Sequence, residues 1–348
     1  MNPVNTIAEI ARQAGVGTAT VDRVINGRTG VNPDTAIKVM KIVGELGAAG
    51  PRGRPKLATK FRFAFVLPTG EKAFLMALER QIALLAADFR HQQITEVTYR
   101  FDASDPSDFA NQLSKLTDFD GIALLAPDLP PIKLAINKLV AAGVNVITLF
   151  SDVAGSMRAS YVGADNRAGG RTAGQLLGHM AGFQSGKSSR NTLLLCSQAT
   201  RFSGEIERRI GFAQVIEERF PRLHVHRIPD LPDSQEAVQA HMLHYLKGDE
   251  VDCSKLCGIY NVAAGTSGLT AAINSLGLTQ KIGVVAHDLT DKKSDLLTTG
   301  HLSYVLHQDI HYSVMASARV LRALRENLRG GPNVVQARFE ILTAENLH

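Results

Sequence analysis

Cationic side chains are concentrated at the N-terminus of the 348-residue chain, and their number points to a polyanionic partner. Residues 1–62 contain ten Lys and Arg but only four Asp and Glu, a net charge of +6. The remaining residues contain 28 bases and 29 acids, so the positive charge of the protein belongs to this short head. A basic head on a nearly neutral body is typical of a nucleic-acid binder joined to a second domain.

The same head has the hydrophobic spacing of three short helices, which argues against a solvated basic tail. Thr6 and Glu9 form a capping-box pattern that starts the first helix. The second helix is predicted from about Thr18 to Ile25, and the third begins at Asn32-Pro33. Two short helices joined by a glycine turn and braced by a third predict a helix-turn-helix, whose second helix can enter the major groove of DNA.

Residues 49–60 form a basic linker rich in glycine and proline. Two glycines and two prolines between 50 and 55 disfavour a regular helix there. The central Pro-Arg-Gly-Arg-Pro-Lys is similar to the core of an AT-hook, in which arginines lie in a narrow A·T minor groove. Two interpretations stay open: Arg52 and Arg54 read the minor groove, or the segment is a flexible basic tether.

Other residue patterns that could do chemistry lack the required spacing. Residues 182–188 have three residues between two glycines where a phosphate-binding loop needs four, and the predicted strand follows the loop instead of preceding it. Cys253 and Cys257, even with His241 and His244 upstream, match no common zinc-site spacing. No serine lies in a Gly-x-Ser-x-Gly elbow. We therefore expect no catalytic activity, no metal and no cofactor.

From residue 61 onward, strand-like apolar runs alternate with helical stretches. This alternation predicts an α/β fold in which parallel sheets are covered by helices on both faces, and nine or more strands suit two doubly wound subdomains better than one. Ligands of such sheets bind at the carboxyl ends of the strands, in the cleft between the two halves. The predicted strands are residues 62–67, 94–101, 121–125, 144–150, 191–196, 223–228, 256–260, 282–286 and 304–307.

Composition is that of a globular protein from a reducing compartment. Apolar residues make up 45% of the chain, and no apolar run approaches the roughly 18 residues of a membrane span. The N-terminus lacks an export signal, and three cysteines cannot stabilise a protein of this size through disulfides. We expect a cytoplasmic protein without membrane contact.

Residues 6–47 read TIAEIARQAGVGTATVDRVINGRTGVNPDTAIKVMKIVGELG, with an AGV turn, a TV-x-RV-x-N run and an Asn-Pro start of the third helix. This stretch resembles the DNA-binding head of the LacI/GalR family of transcriptional regulators. The resemblance implies that Thr18, Ala19 and Arg23 face base edges, and the Arg23 guanidinium can pair with guanine through two hydrogen bonds. It also implies phosphate contacts from three further side chains: Thr6, Thr20 and Asn26.

The head and the linker depart from the family pattern at a few positions. Gly17 and Asp22 stand where the family commonly has serine, and we interpret Asp22 as a partner within its own helix or in a salt bridge. Family members usually continue into a hinge helix whose leucine inserts into the minor groove. Leu57 could take that role only if a helix forms after Pro55, so a hinge helix and an extended minor-groove reader both stay open.

The body resembles the type I periplasmic-binding-protein fold that the same family carries as its effector domain. The matching segments are VGADN at 162–166 with the glycine pair that follows, RRIGF at 208–212, and HQD at 307–309. The resemblance implies a cleft lined by groups that suit a polyol, because carboxylates accept hydroxyl protons, guanidinium donates to two oxygens and amides do both. These polar candidates are Asp165, Arg208, Asn261, Asp288 and Gln308, with Phe74, Phe150 and Phe202 as apolar walls.

Each of these candidates also has a purely structural interpretation. Asp288 and Gln308 could cap the helices that follow them, and Arg208 could pair with a glutamate of its own helix. The three phenylalanines could belong to the core.

The resemblance divides the chain into three parts: a helix-turn-helix domain at 1–48, the linker at 49–60 and an effector-binding domain at 61–348. Within the effector-binding domain, subdomain 1 would comprise about 61–163 and 297–330. Subdomain 2 would comprise about 164–296 and 331–345.

These inferences together predict a transcriptional regulator, by family analogy a repressor, that binds a pseudo-palindromic operator in double-stranded DNA as a homodimer. A sugar or polyol effector in the cleft would control operator binding by changing the relative orientation of the subdomains. Whether this ligand acts as inducer or co-repressor is left open. The alternatives are a cytoplasmic solute-binding receptor without DNA function and a sugar- or nucleoside-active enzyme.

Overall fold

The computed structural model describes residues 7–25, 31–32, 34–36, 38–39, 42, 61–70, 72–184, 190–198, 201–228, 230–232, 234–262, 264–327 and 336–347. The chain divides into two compact units, Met1–Lys60 and Phe61–His348. Within the described residues, no helix has both the length and the apolar character needed to span a lipid bilayer.

The first unit contains two short helices, α1 (Ile7–Ala14) and α2 (Thr18–Ile25), as predicted. Gly15 ends α1 with a φ of +66°, a conformation that glycine adopts without strain. Residues 34–36, 38, 39 and 42 are helical as well. The small core consists of Ile10, Ala11, Ala14, Val21 and Val39. Four positions predicted as buried in the third helix (Ile37, Met40, Val43 and Leu46) lie outside the described residues.

The second unit begins with a five-stranded parallel sheet in the order β2-β1-β3-β4-β5. Its strands are β1 (Phe61–Pro68), β2 (Ile94–Phe101), β3 (Gly121–Leu124), β4 (Asn145–Leu149) and β5 (Ser160–Val162). The helices between them are α3 (Ala73–Leu84), α4 (Ala86–His91), α5 (Pro106–Leu113) and α6 (Pro130–Ala141).

A six-stranded sheet follows, in the order β11-β10-β9-β8-β6-β7, and it is parallel except for β11. Its strands are β6 (Thr192–Cys196), β7 (His224–Ile228), β8 (Leu256–Asn261), β9 (Gly283–His287), β10 (Tyr304–Gln308) and β11 (Phe339–Leu342). The helices are α7 (Asn166–Gln184), α8 (Ser203–Arg219), α9 (Gln235–Lys247), α10 (Thr266–Ser275), α11 (Asp291–Thr298) and α12 (Ile310–Arg325). The predicted α/β class with two doubly wound sheets is confirmed.

Strand β1 is apolar except for Arg62, which is exposed near its start. Phe63 and Phe65 pack into the core on one face of the first sheet, whereas Ala64 and Val66 pack into the core on the other. Successive side chains of a strand point to opposite faces, so a strand covered by helices on both sides has no polar face. The second sheet likewise has a core on each face.

Strand β10 corrects the predicted subdomain boundary. Residues 297–330 are expected in subdomain 1, but Tyr304 of β10 pairs with Val285 of β9 in the second sheet. After β9, the short helix α11 leads the chain back to the same sheet, where β10 lies beside β9. Among the described residues of this range, α12 is the element that reaches the first sheet, where Val314 and Leu321 enter the core. The chain therefore crosses over at α12 and returns with β11.

Candidate functional site

Loops that follow strands of the two sheets contact each other, and the region where they meet is the cleft expected between the two halves. Lys72, just before α3, donates from Nζ to Oε1 of Gln198, which follows β6, at 3.0 Å. The Oγ of Ser151, after β4, lies 3.2 Å from the Oγ of Ser203 at the start of α8. Side chains that follow parallel strands are thus brought together, as expected for a ligand cleft in this architecture.

A continuous series of polar contacts runs through this cleft from the second sheet to the first. Gln308 Nε2 donates to Asp288 Oδ1 at 3.2 Å, and Asp288 Oδ2 lies 3.7 Å from Arg208 Nη1. Arg208 Nε donates to Asn166 Oδ1 at 2.8 Å, and Asn166 Nδ2 donates to the carbonyl oxygen of Phe150 at 3.0 Å. Three of the five predicted polar residues therefore lie together, joined by an asparagine that the sequence analysis did not select.

Arg208 is held in place by two helices that pack backbone to backbone. A Cβ atom on Gly170 of α7 would lie 1.9 Å from the Arg208 carbonyl oxygen, and one on Gly211 of α8 would lie 2.1 Å from the Arg167 carbonyl oxygen. Only glycine allows this approach. The Arg208 side chain is 7% exposed and lies over the Phe339 ring, 5.7 Å from its centroid. The ion pair with Asp288 replaces the predicted alternative, pairing with a glutamate on its own helix.

Asp288 follows β9 in the left-handed conformation, with a φ of +58°. Lys293 stabilises this turn by donating from Nζ to the carbonyl oxygens of His287 and, at 2.9 Å, Asp288. Burial lowers the pKa of Lys293, and the nearby Asp288 carboxylate partly offsets that shift. The N-cap of α11 is Thr290, whose hydroxyl accepts from the Lys293 backbone N–H. The alternative interpretation of Asp288 as a helix cap is therefore wrong.

Gln308, at the end of β10, is 1% exposed. Its alternative role as a cap is also wrong, because Asp309 caps α12 by accepting from the Tyr312 N–H at 2.8 Å. Within the described part of the chain, the Gln308 Oε1 atom is buried and accepts no hydrogen bond. An unsatisfied buried acceptor costs about 1–3 kcal/mol, so this atom suits a hydroxyl donor.

His287 lies behind Asp288 in the second sheet. Its Nε2 is 2.5 Å from the Tyr260 hydroxyl, and its ring packs edge-on against Phe339. Burial lowers the pKa of His287 well below its ordinary value, and the charges of Arg208 and Lys293 lower it further. The imidazole is therefore neutral in the folded protein at physiological pH.

The other two polar candidates occupy different surroundings. Asn261 is fully buried at the end of β8, and its Nδ2 donates to Thr266 Oγ1 at 3.1 Å, at the start of α10. Asp165 is exposed and caps α7, where Oδ1 accepts from the Ala168 N–H at 2.9 Å. The next residue, Asn166, is the one whose side chain contacts Arg208 and the Phe150 carbonyl oxygen.

The three aromatic candidates lie in one corner beside the cleft. The rings of Phe74 and Phe150 meet edge to face at 5.1 Å, and Phe202 is half-buried against the same core. Phe150 has a φ of +59°, and the Ser151 N–H donates to the Leu149 carbonyl across it at 2.7 Å, which makes a γ-turn. Positive φ is rare for a bulky residue, and such strain is typical of functional sites.

The head presents three of its predicted DNA-contacting side chains on α2. Thr18, Ala19 and Arg23 are exposed, and Thr20 is half-buried. The remaining predicted contacts (Thr6, Asn26, Arg52 and Arg54) and the whole linker lie outside the described residues. On α1, the hydrogen bond and charge of Arg12, with a hydrogen bond from Gln13, lower the pKa of Glu9 to about 2.

The cysteines are not exposed nucleophiles. Burial raises the pKa of Cys196 to about 12 and that of Cys257 to about 11. Across the described ranges, no group of three or more His, Cys, Asp or Glu side chains could hold a metal ion.

Residues 63–329 match the family described as "Periplasmic binding protein domain". The chain belongs to this family. Residues 6–47 match "Bacterial regulatory proteins, lacI family". The family composition that the sequence predicted, a LacI-type helix-turn-helix head joined to a periplasmic-binding-protein domain, is confirmed.

Curated relatives match over part of their length. The catabolite control protein A of Staphylococcus xylosus is 30% identical over 147 residues, which cover 40% of this chain and 44% of the relative. The HTH-type transcriptional regulator GalS of Salmonella typhimurium is 39% identical over 90 residues, which cover 25% of this chain and 26% of the relative. The chain thus spans less than half the length of these relatives.

Solved structures with the same fold cover most of the chain. The glucose-galactose binding protein GanP of Geobacillus stearothermophilus has a TM-score of 0.69 and 16% identity over 83% of this chain and 99% of its own. A periplasmic solute-binding protein of Actinobacillus succinogenes with bound D-allose has a TM-score of 0.70 and 16% identity over 82% and 98%. At these identities the likeness shows the fold.

Proposed function

We propose that the protein is a sequence-specific transcriptional regulator whose binding to an operator is controlled by a carbohydrate or polyol in the cleft. The observation that carries this proposal is the series Gln308–Asp288–Arg208 at the carboxyl ends of strands in the second sheet, with Gln308 and Arg208 buried and Asp288 partly buried. It lies in a chain whose head exposes the recognition positions of a helix-turn-helix.

The chemistry of the series suits vicinal hydroxyl groups. The Asp288 carboxylate accepts two hydroxyl protons, Arg208 donates from its terminal nitrogens, and the unsatisfied Oε1 of Gln308 accepts one more. The edge-to-face pair Phe74 and Phe150 supplies an apolar wall for the C–H face of a sugar ring. Structures of the same fold that hold sugars, among them the protein with bound D-allose, support this class of ligand.

The DNA-binding half of the proposal rests on the head. Thr18, Ala19 and Arg23 lie on the exposed face of α2, in the position from which a recognition helix reads base edges. We propose a cytoplasmic homodimer on a pseudo-palindromic site, because two copies related by a two-fold axis read two half-sites. Met76 and Leu84, 55% and 63% exposed on α3, are apolar side chains that a second copy would cover. We propose, by analogy with the LacI family, that the regulator represses transcription.

The ligand is tested by thermal shift with D-glucose, D-galactose, L-arabinose and D-allose. A ligand at 100 times its Kd stabilises the protein by about 2.7 kcal/mol, so a bound sugar gives a clear rise in melting temperature. The rise should disappear in Asp288→Asn and persist in Asp249→Asn, which makes the same chemical change at an exposed site. Should no carbohydrate or polyol stabilise the protein, the proposed ligand class is wrong.

A further inference from the structure

Asn166 occupies the crossover between the two subdomains. It is the first residue of α7 and follows the short segment 163–165 that leads out of β5. Its side chain is 7% exposed. Within the described residues, the amide uses both of its ends, and the two ends bind different subdomains.

The oxygen of this amide holds the second subdomain. Asn166 Oδ1 accepts from Arg208 Nε at 2.8 Å. This bond occupies Nε and leaves the terminal nitrogens of the guanidinium to Asp288, 3.7 Å away, and to the cleft. This neutral acceptor, the Asp288 carboxylate and the Phe339 ring together set the orientation of the guanidinium plane, since its donors diverge in a fixed, planar fork.

The nitrogen of the amide holds the first subdomain. Asn166 Nδ2 donates to the Phe150 carbonyl oxygen at 3.0 Å and lies 3.2 Å from the Tyr161 hydroxyl. Tyr161 belongs to β5, and its hydroxyl donates onward to the Ala164 carbonyl at 2.8 Å. Phe150 is the residue with positive φ in the γ-turn after β4. The Asn166 nitrogen therefore binds the strained turn that carries the aromatic wall.

Asn166 on α7 and Arg208 on α8 are held together because these two helices pack backbone to backbone. The glycine contacts at Gly170 and Gly211 bring the two helix backbones together. A Cβ on Gly204 would also lie 3.0 Å from Asn166 Nδ2 and 3.1 Å from the Phe150 carbonyl oxygen. Movement of Arg208 relative to the first subdomain must then break or bend the bonds of Asn166.

We propose that Asn166 is a positioning residue of the cleft: it orients Arg208 and ties that arginine to the Phe150 turn, so that its amide favours closure alongside the Lys72–Gln198 and Ser151–Ser203 contacts. The proposal rests on the proposed function only in taking Arg208 as a ligand contact. Asn166 itself is not assigned a contact with the ligand.

Ser151 and Ser203 supply a probe of closure that needs no ligand. Their Oγ atoms, from opposite subdomains, lie 3.2 Å apart, so cysteines at both positions can form a disulfide only while the cleft is closed. The parent for this test is the full chain with Ser151→Cys, Ser203→Cys and Cys253→Ser, because Cys253 is half-buried, whereas Cys196 and Cys257 are buried. The rate of cross-linking with diamide is followed on non-reducing gels.

Two substitutions of Asn166 separate its two bonds. Asn166→Leu removes both, and Asn166→Asp keeps an acceptor for Arg208 but loses the donor to Phe150. We expect both to slow cross-linking about fivefold to tenfold, the effect of one lost buried hydrogen bond. The matched control is Asn137→Leu, which removes a side-chain bond to the Met157 N–H within the first subdomain alone and should leave the rate within about twofold.

Equal cross-linking rates in Asn166→Asp and Asn137→Leu would overturn the proposal, and so would a parent that does not cross-link. If Asn166→Leu fails to fold, Asn166→Asp decides. A sugar that stabilises the wild type gives a second readout: Asn166→Asp should weaken its affinity by about the same fivefold to tenfold as it slows cross-linking, because the ligand binds the closed cleft. If no sugar binds the wild type, the proposed function fails, while the cross-linking rates still decide the role of Asn166.

Discussion

Replacing Arg208 by methionine should destabilise the protein by about 3 kcal/mol. The substitution keeps an unbranched apolar stem but leaves the Asp288 carboxylate without its guanidinium and the buried Asn166 Oδ1 without a donor. Breaking a buried ion pair by removing one partner costs roughly 3–5 kcal/mol. The lower end applies because the ion-pair distance is 3.7 Å and the Lys293 ammonium lies close to the same turn.

Urea unfolding with a linear extrapolation measures this loss, and a thermal melt should show a decrease of about 6 °C. Arg319→Met is the matched control, since Arg319 is exposed on α12, and its effect should stay within about 0.5 kcal/mol. The double variant with Asp288→Asn should recover part of the loss, because no unpaired charge is then buried. A loss below about 1 kcal/mol for Arg208→Met, or no recovery in the double variant, would refute this reasoning.

Three further predictions follow from particular contacts. Gly211→Ala should lower the free energy of unfolding by more than about 2 kcal/mol, because its Cβ would lie 2.1 Å from the Arg167 carbonyl oxygen. Gly182→Ala should raise the free energy of unfolding by about 0.5 kcal/mol, because the new Cβ has open space around it. Urea unfolding of both variants checks these opposite signs. The pKa of His287 in the folded protein lies well below 6.5, so below that pH the unfolded chain binds a proton that the folded chain does not. The free energy of unfolding should therefore fall as the pH drops below 6.5, by up to about 1.4 kcal/mol per pH unit. In parallel urea titrations, His287→Gln should remove this part of the pH dependence. Arg23→Ala should weaken operator binding by about 1–3 kcal/mol in fluorescence anisotropy, and an unchanged affinity would exclude Arg23 as a base contact.

The layered fold could be predicted because each long strand has a distinctive pattern. Seven of the eight residues of β1 are buried, all but Arg62, and this short apolar run has the length of a strand. Strand β5 was missed because three residues are too short to show a period, and β11 was missed because the charged Glu340 interrupts its apolar residues and only Leu342 is buried. The sequence pattern could not predict which sheet β10 joins, because hydrophobic spacing identifies a strand but not its neighbours.

The sequence alone could not fully distinguish polar ligand contacts from helix caps. The resemblance to a family pointed to Arg208, Asp288 and Gln308, and only the structure shows that Thr290 and Asp309 do the capping. The resemblance pointed to Asp165 and not to its neighbour Asn166, whereas in the structure Asp165 caps α7 and Asn166 accepts from Arg208. The strained turn at Phe150 arises from tertiary hydrogen bonds, which no local signal announces.

The central claim is that one chain couples a sugar in its cleft to DNA bound by its head. The most direct measurement is the anisotropy of a labelled fragment from the promoter of its own gene, titrated with protein at fixed salt, with and without the sugar that raises the melting temperature. We predict that the sugar changes the operator Kd by at least about fivefold, and that Asp288→Asn abolishes this change while the sugar-free Kd stays the same. An operator Kd that no stabilising sugar alters, or no DNA binding even at low ionic strength, would contradict the account.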